Sequence, residues 1–309
     1  MASPNKPGSK QETAPHSDPP SAITHAERVV YPDCGVTKGD VARYYEAAAA
    51  RMAPHLETRL VSLVRAPENI EAELFYQRHP IKGATDGVIP VETNGETYIA
   101  LRGAEGLRTA AQFGALEIHG WMARYDRIET PDRMVFDLDP AEDVGFSEVR
   151  SAALAVRDRL QAMGLRSFPM ITGGKGVHVT LPLDRALTWS DTEIFAAGFA
   201  QSLAHEEPQR FVATMSKKLR QGRIFVDWLR NARAATAILP WSLRARRGAP
   251  VATPLTWESL AAMESANAFT LKTALDAPDA WPDFFSTPQT IAAEALAAMR
   301  RVKPDRAFS

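Results

Sequence analysis

The sequence predicts a mixed α/β (α+β) fold with substantial antiparallel sheet. Short apolar runs meet across tight glycine-rich turns, as at 168–171 and 177–181. Longer stretches carry apolar residues at helical spacing, as at 146–163. The composition, 45% apolar and 24% charged over 309 residues, is that of an ordinary globular protein. Such a chain can hold one large domain or two small ones. Hairpins and helices in one chain, with no internal repeat, point to layered sheet and helix.

The elements follow in order. Residues 1–22 are rich in Pro, Ser, Lys and Gln and predict a disordered tail or linker. Tyr31-Pro32-Asp33 marks a turn. Thr37 and Asp40 have the spacing of a capping box, with Asp in place of the usual Glu or Gln. A helix then runs to about residue 52, with Val41, Tyr44, Tyr45, Ala48 and Met52 on one face. Strands are expected near 60–65, 74–77 and 98–102, a helix at 104–113 and a strand at 116–119. The run 133–139 is rich in strand formers, and Pro140, lacking a donor, tends to end it. Helices are expected at 146–163, 191–206 and 290–301, and the residues after 300 read as a C-terminal tail.

Bulk properties exclude several classes. No apolar stretch is long enough to span a membrane, and the start lacks the apolar core of a signal peptide. A single cysteine, Cys34, rules out an internal disulfide and fits a reducing cytosol. The net charge is −1, yet it is unevenly spread. From Lys217 to Arg247 nine basic residues face one acid, Asp227, so that segment is +8 and the remainder −9. Such a segment suits a polyphosphate or a nucleic-acid backbone.

Three motifs carry the chemistry. In Met134-Val135-Phe136-Asp137-Leu138-Asp139-Pro140, two aspartates stand two residues apart. On a strand they share a face. Two adjacent carboxylates repel unless one holds a proton or a cation lies between them. Carboxylate oxygens are what Mg²⁺ and Mn²⁺ prefer. Alone the pair also describes a solvated strand end; its apolar flanks and the later motifs favour a site. The second motif, Thr172-Gly173-Gly174-Lys175-Gly176-Val177-His178, is a turn between two apolar runs. Its glycines permit close backbone approach, and successive N–H groups there can cradle an anion. It is not a P-loop, because the Gly-x-x-x-x-Gly-Lys-Ser/Thr spacing is absent. The third, Ile224-Phe225-Val226-Asp227-Trp228-Leu229-Arg230-Asn231, buries a carboxylate in an apolar strand. That is costly unless it is paired or bound to metal.

Together these motifs resemble the primase–polymerase domain of bacterial DNA ligase D, in the archaeo-eukaryotic primase superfamily. The resemblance covers about residues 23–300. It is supported by Tyr31-Pro32-Asp33 before Gly35-Val36-Thr37-Lys38, by Phe75-Tyr76-Gln77-Arg78-His79-Pro80, by Glu117-Ile118-His119-Gly120-Trp121 and by Ser242-Leu243-Arg244-Ala245-Arg246. It implies the archaeo-eukaryotic primase fold: two modules around an active-site cleft, one with an RRM-like antiparallel sheet. It implies template-directed nucleotidyl transfer in non-homologous end joining, with two Mn²⁺ or Mg²⁺ ions and ribonucleotides often preferred over deoxyribonucleotides. By position, Asp137, Asp139 and Asp227 match the catalytic metal carboxylates. His119, Thr172, Lys175, His178, Arg220, Arg230, Arg244 and Arg246 match nucleotide-binding positions. Lys38 matches a lysine that holds a downstream 5′-phosphate, while Phe75 and Arg78 match DNA-binding positions. Arg78 stands where many relatives have Lys, which changes the geometry of the charge. The implied partners are DNA ends with a 5′-phosphate, NTP or dNTP, a Ku-type end-binding protein and a DNA ligase domain or protein. The implied setting is the bacterial cytoplasm, at the nucleoid.

Other readings explain less. A sugar transferase with an Asp-x-Asp motif leaves Asp227 and the basic segment without a role. A phosphatase using an Asp-x-Asp pair wants Thr or Val where Ala141 stands. A non-catalytic DNA-end-binding module needs none of the three aspartates.

Overall fold

The structure, a computed structural model, describes residues 23–84 and 87–303. The expected tail at 1–22 and residues 304–309 lie outside the described residues. β1 (Val29–Tyr31) and β2 (Val36–Thr37) form a small hairpin across the Tyr31-Pro32-Asp33 turn. The capping box then starts α1 (Lys38–Leu56): Thr37 Oγ1 accepts from Asp40 N (3.2 Å), and Asp40 Oδ2 accepts from Thr37 N (2.8 Å). The helix runs one turn past residue 52. Pro54 sits in its last turn, where a missing N–H costs only one bond.

Next come β3 (Arg59–Arg65), β4 (Phe75–Gln77), β5 (Val88–Thr93), β6 (Glu96–Leu101), α2 (Gly103–Gln112) and β7 (Ala115–Arg124). β5 was not anticipated. It pairs with β6 through Asn94-Gly95, both with positive φ, as a two-residue hairpin turn requires. β7 is longer than the expected 116–119 because residues 120–124 lack alternation. Trp121, Met122 and Ala123 are buried among a core patch of their own. These strands form an antiparallel sheet in the order β13-β7-β3-β6-β5, with β4 beside β3. Here β13 (Thr236–Ile238) returns from much later in the chain. α1 and α2 share a core with Val61, Leu63 and Ile118 of this sheet.

The second sheet begins at β8 (Arg133–Pro140), followed by α3 (Phe146–Ala162), β9 (Phe168–Ile171), β10 (Val177–Pro182), α4 (Trp189–Glu206), β11 (Phe211–Val212) and β12 (Ile224–Asp227). Its order is β11-β12-β8-β10-β9-β14, with β14 at Thr253–Pro254. The central four strands and two helices run β-α-β-β-α-β, the layout of an RRM-like sheet. Short α5 (Trp257–Ala262) and α6 (Ala293–Arg301) pack against α3 and α4 respectively.

Strand alternation fixes which way the site points. Met134, Phe136 and Leu138 of β8, Val177, Val179 and Leu181 of β10, and Ile224 and Val226 of β12 share the core with α3 and α4. Asp137, Asp139, His178 and Asp227 therefore take the opposite face, toward the first sheet. The expected fold class is observed: mixed α and β, with antiparallel sheets in two modules.

Candidate active site

The register brings the aspartates together. Asp137 on the central strand stands opposite Asp227 on one neighbour and His178 on the other. Asp139 lies one step along the same face, beyond Asp137. The hairpin between β9 and β10 closes with Thr172 N and Oγ1 both donating to Gly176 O (3.1 Å each). Glycine is required here: Gly173 has φ +68°, and a Cβ on Gly176 would meet Leu138 O at 2.5 Å.

Cations surround this acidic floor. Arg230 Nε lies 3.0 Å from Asp227 Oδ2 and 3.5 Å from Asp137 Oδ2. His178 Nε2 lies 3.5 Å from Asp137 Oδ1. Arg220 Nη1 donates to Asp139 Oδ2 (3.1 Å), and its guanidinium stacks 3.9 Å from the Phe225 ring centroid. Arg244 Nη1 donates to Thr172 O (2.6 Å), which ties the far wall to the glycine hairpin. The cleft so formed has a volume of about 310 Å³ and is mostly polar; Lys175, Arg230, Arg244 and Arg246 are among its lining residues.

The three aspartates are not equivalent. Burial pushes Asp137 up, but His178, Arg230 and Arg244 more than offset this and hold it at about 2. Asp139 and Asp227 are both raised, first by burial and then by the charge of Asp137, against the partial relief of nearby arginines. Asp139 and Asp227 thus carry their charge against both burial and the neighbouring Asp137.

A family model described as the LigD primase-polymerase domain matches residues 37–285. The chain belongs to that family. It is 35% identical over 289 residues to the multifunctional non-homologous end joining protein LigD of Pseudomonas aeruginosa, covering 90% of this chain and 34% of that protein. It is 27% identical over 261 residues to the bifunctional LigD of Bacillus subtilis, covering 84% of this chain and 42% of that one. The solved polymerase domain of Mycobacterium tuberculosis ligase D, in complex with DNA, superposes with a TM-score of 0.77 at 30% identity. That match covers 87% of this chain and 99% of the other. The chain therefore spans about a third of the length of the Pseudomonas relative.

Most of the LigD-family positions named from sequence converge on the cleft: His119, Asp137, Asp139, Thr172, Lys175, His178, Arg230, Arg244 and Arg246 line or face it. Three do not. Lys38 is buried at the start of α1, where Nζ donates to Thr24 O (2.8 Å) and Gln112 Oε1 (3.1 Å). Burial and the neighbouring Arg28 lower its pKa. Phe75 and Arg78 lie outside the cleft lining; Tyr76 reaches it instead and is 80% exposed.

Two residues with clear roles were missed. Glu117 accepts from His119 Nε2 (2.8 Å), Arg244 Nε (3.1 Å) and Ala245 N (2.9 Å). Its signal was alternation: Glu117 and His119 are two apart on one strand, so they share a face. Asn231 is wholly buried; its Oδ1 accepts from Val135 N (2.8 Å), and its Nδ2 donates to Val135 O (2.7 Å) and Trp228 O (2.9 Å). It ties the Arg230 turn to β8.

The donor set fits a hard divalent cation. It offers carboxylate oxygens on one face, two of them with raised pKa values that a cation would relieve. Among the described residues no three His, Cys, Asp or Glu side chains already stand together as a metal-holding group. Arg220 and Arg230 supply the counter-charge in this arrangement.

Proposed function

We propose that this chain is a template-directed nucleotidyltransferase that extends or gap-fills DNA ends in non-homologous end joining. The observation that carries this reading is the shared face on which Asp137, Asp139 and Asp227 meet the glycine hairpin and a cationic wall. Carboxylates alone describe a metal site, and cations alone describe an anion site. Side by side, they suit a triphosphate attacked by a hydroxyl. Residues 23–300 are assigned to this one catalytic unit.

Asp137, Asp139 and Asp227 would hold two Mn²⁺ or Mg²⁺ ions, which supply charge neutralisation and an activated hydroxyl when bound. The chain's own residues orient the nucleotide. Thr172 closes the hairpin that faces the phosphates, Lys175 and His178 flank them, and Arg230, Arg244 and Arg246 share the charge that develops on pyrophosphate. Arg220 reaches the same site from its loop. Phe75, with Tyr76, and Arg78 are assigned to DNA, and Lys38 to a recessed 5′-phosphate. A ribonucleotide preference, a Ku-type partner, a ligase domain or protein and a setting at the bacterial nucleoid complete the proposal; family membership supports them.

The test is primer extension on a gapped duplex with a 5′-phosphate or a 5′-hydroxyl, with Mn²⁺ and NTP or dNTP. Templated addition is expected, and the Asp137→Ala/Asp139→Ala protein should lose it by on the order of a thousandfold or more, with its circular dichroism intact. Lys38→Ala should erase the advantage of the 5′-phosphate. No addition by the wild-type protein, with tight 5′-phosphate binding retained, would replace this reading with an end-binding module.

A further inference from the structure

Glu117 is a buried carboxylate with three donors already fixed. Its two oxygens divide the work. Oε1 accepts from Arg244 Nε (3.1 Å) and Ala245 N (2.9 Å). Oε2 accepts from His119 Nε2 (2.8 Å). The His119 ring lines the cleft beside Thr236, Ala237 and Ile238 of β13. Its Nδ1 makes no hydrogen bond among the described residues.

A neutral imidazole carries one N–H, and the bond made by one nitrogen decides the role of the other. A carboxylate oxygen can only accept, so the proton sits on Nε2. Arg244 already neutralises the Glu117 charge, so the pair does not need an imidazolium. Burial, with the positive charges of Arg244 and Arg230, also lowers the His119 pKa against the pull of Glu117. Nδ1 is then a lone pair in a cleft otherwise rich in donors. It cannot bind a phosphate oxygen, which is itself an acceptor. It can accept from a hydroxyl.

We propose that Glu117 is a positioning residue that fixes His119 as the Nε2–H tautomer, so that Nδ1 accepts a hydrogen bond from a sugar hydroxyl of the incoming nucleotide. This rests on the nucleotidyltransferase reading above for its ligand, though the tautomer itself does not. Arg244 adds a link: it joins Glu117 to the phosphate hairpin through Thr172 O (2.6 Å). Sugar recognition and phosphate recognition thus share one buried carboxylate.

Glu117→Gln tests this. The two donors at the Oε1 position will hold the amide oxygen there, which turns the NH₂ toward His119 Nε2. An NH₂ group donates, so His119 must switch to the Nδ1–H tautomer and lose its free acceptor. Two readouts are needed. The first is ¹⁵N NMR of the imidazoles in metal-free protein at neutral pH, with the His119 signal assigned by its loss in His119→Gln. The expected result is Nε2–H in the wild type and Nδ1–H in Glu117→Gln. The second is kcat/KM for NTP, dNTP and 2′,3′-dideoxy-NTP. Glu117→Gln should lower use of the hydroxyl-bearing sugar by about five- to tenfold relative to the analogue lacking that hydroxyl, the worth of one hydrogen bond. Loss between NTP and dNTP assigns the 2′-hydroxyl, and loss between dNTP and dideoxy-NTP the 3′-hydroxyl.

His119→Gln serves as a second variant if Glu117→Gln folds poorly. Its amide can keep an N–H toward Glu117 but removes the Nδ1 lone pair, so it should show the same loss of sugar discrimination. An imidazolium or an Nδ1–H tautomer in the wild type would overturn the proposal, as would an unswitched tautomer in Glu117→Gln. So would equal losses on all three nucleotides. If the wild type adds no nucleotide at all, the polymerase reading and the sugar contact fail together, while the NMR result still decides the tautomer.

Discussion

β8 has a carboxylate group at each end, and the fold treats them in opposite ways. At its start, Asp132 is enclosed by Arg59, Arg124 and Arg133. Arg59 Nη1 donates to Asp132 Oδ1 (2.9 Å) and also to Trp121 O (2.6 Å). Burial opposes the charge on Asp132, but the arginines win and hold it well below the usual carboxylate range. Phe284 and Phe285 stack on Arg133 and close the cluster. At the other end, Asp137, Asp139 and Asp227 share a face that opens into a cleft, and two of them have raised pKa values. A satisfied ion network is structure. A face on which two carboxylates keep their charge against burial and against Asp137 is where a cation-dependent site belongs.

The largest effect should come from breaking the satisfied end. Asp132→Ala leaves Arg59, which has no exposed surface, with an unpaired charge. Losing one partner of a buried pair costs about 3–5 kcal/mol. Urea unfolding should show that loss, while Asp139→Ala, whose carboxylate is raised rather than lowered, changes stability far less. If the unfolding free energy of Asp132→Ala stays within about 1 kcal/mol of wild type, the contrast between the two ends is wrong.

Asn231 lies between the two ends and sharpens the comparison. It satisfies both backbone groups of Val135 in the middle of β8 and holds the turn that carries Arg230. Asn231→Ala strands a buried N–H and a buried C=O, at about 1–3 kcal/mol each. Because Arg230 directly precedes it and Asp227 lies four residues earlier, nucleotide affinity should fall along with stability. Unchanged affinity in a variant that is clearly less stable by urea unfolding would make Asn231 a cement for β8 alone.

The two ends also differ in how far they could be read from sequence. The open end was legible because its rules are local. Period-two alternation put Asp137 and Asp139 on one face, and three glycines within five residues announced the hairpin. The closed end was not, because Arg59 and Asp132 are 73 residues apart and no local pattern links them. Glu117 needed two facts at once: alternation with His119, and an arginine 127 residues away. The fold divided the same way. Helices and long strands followed from periodicity, but β13 joins a sheet whose other strands lie over a hundred positions earlier, and a three-residue strand has no period to read. Asn94-Gly95 was a readable hairpin signal, obscured by Pro90 in β5, which an edge strand tolerates.

The smallest effect has the most informative sign. The folded-state pKa of Asp227 is raised, by burial first and by Asp137 after Arg230. A raised carboxylate favours its protonated form in the folded protein, so at neutral pH the charged group opposes folding. That opposition disappears as pH falls through the raised value and the group takes up its proton. Asp227→Asn mimics the protonated state. The metal-free variant should be slightly more stable than wild type at pH 7, by less than about 1 kcal/mol, since Arg230 loses its partner at the same time. The gain should shrink toward zero near pH 4, where the wild type begins to protonate. Mn²⁺ should raise the wild-type melting temperature and reverse the order, because a cation uses the charge that the amide lacks. A variant less stable than wild type at pH 7, or one that Mn²⁺ stabilises equally, would mean that Asp227 is held by Arg230 as firmly as Asp132 is by Arg59, and the two ends of β8 would no longer differ in kind.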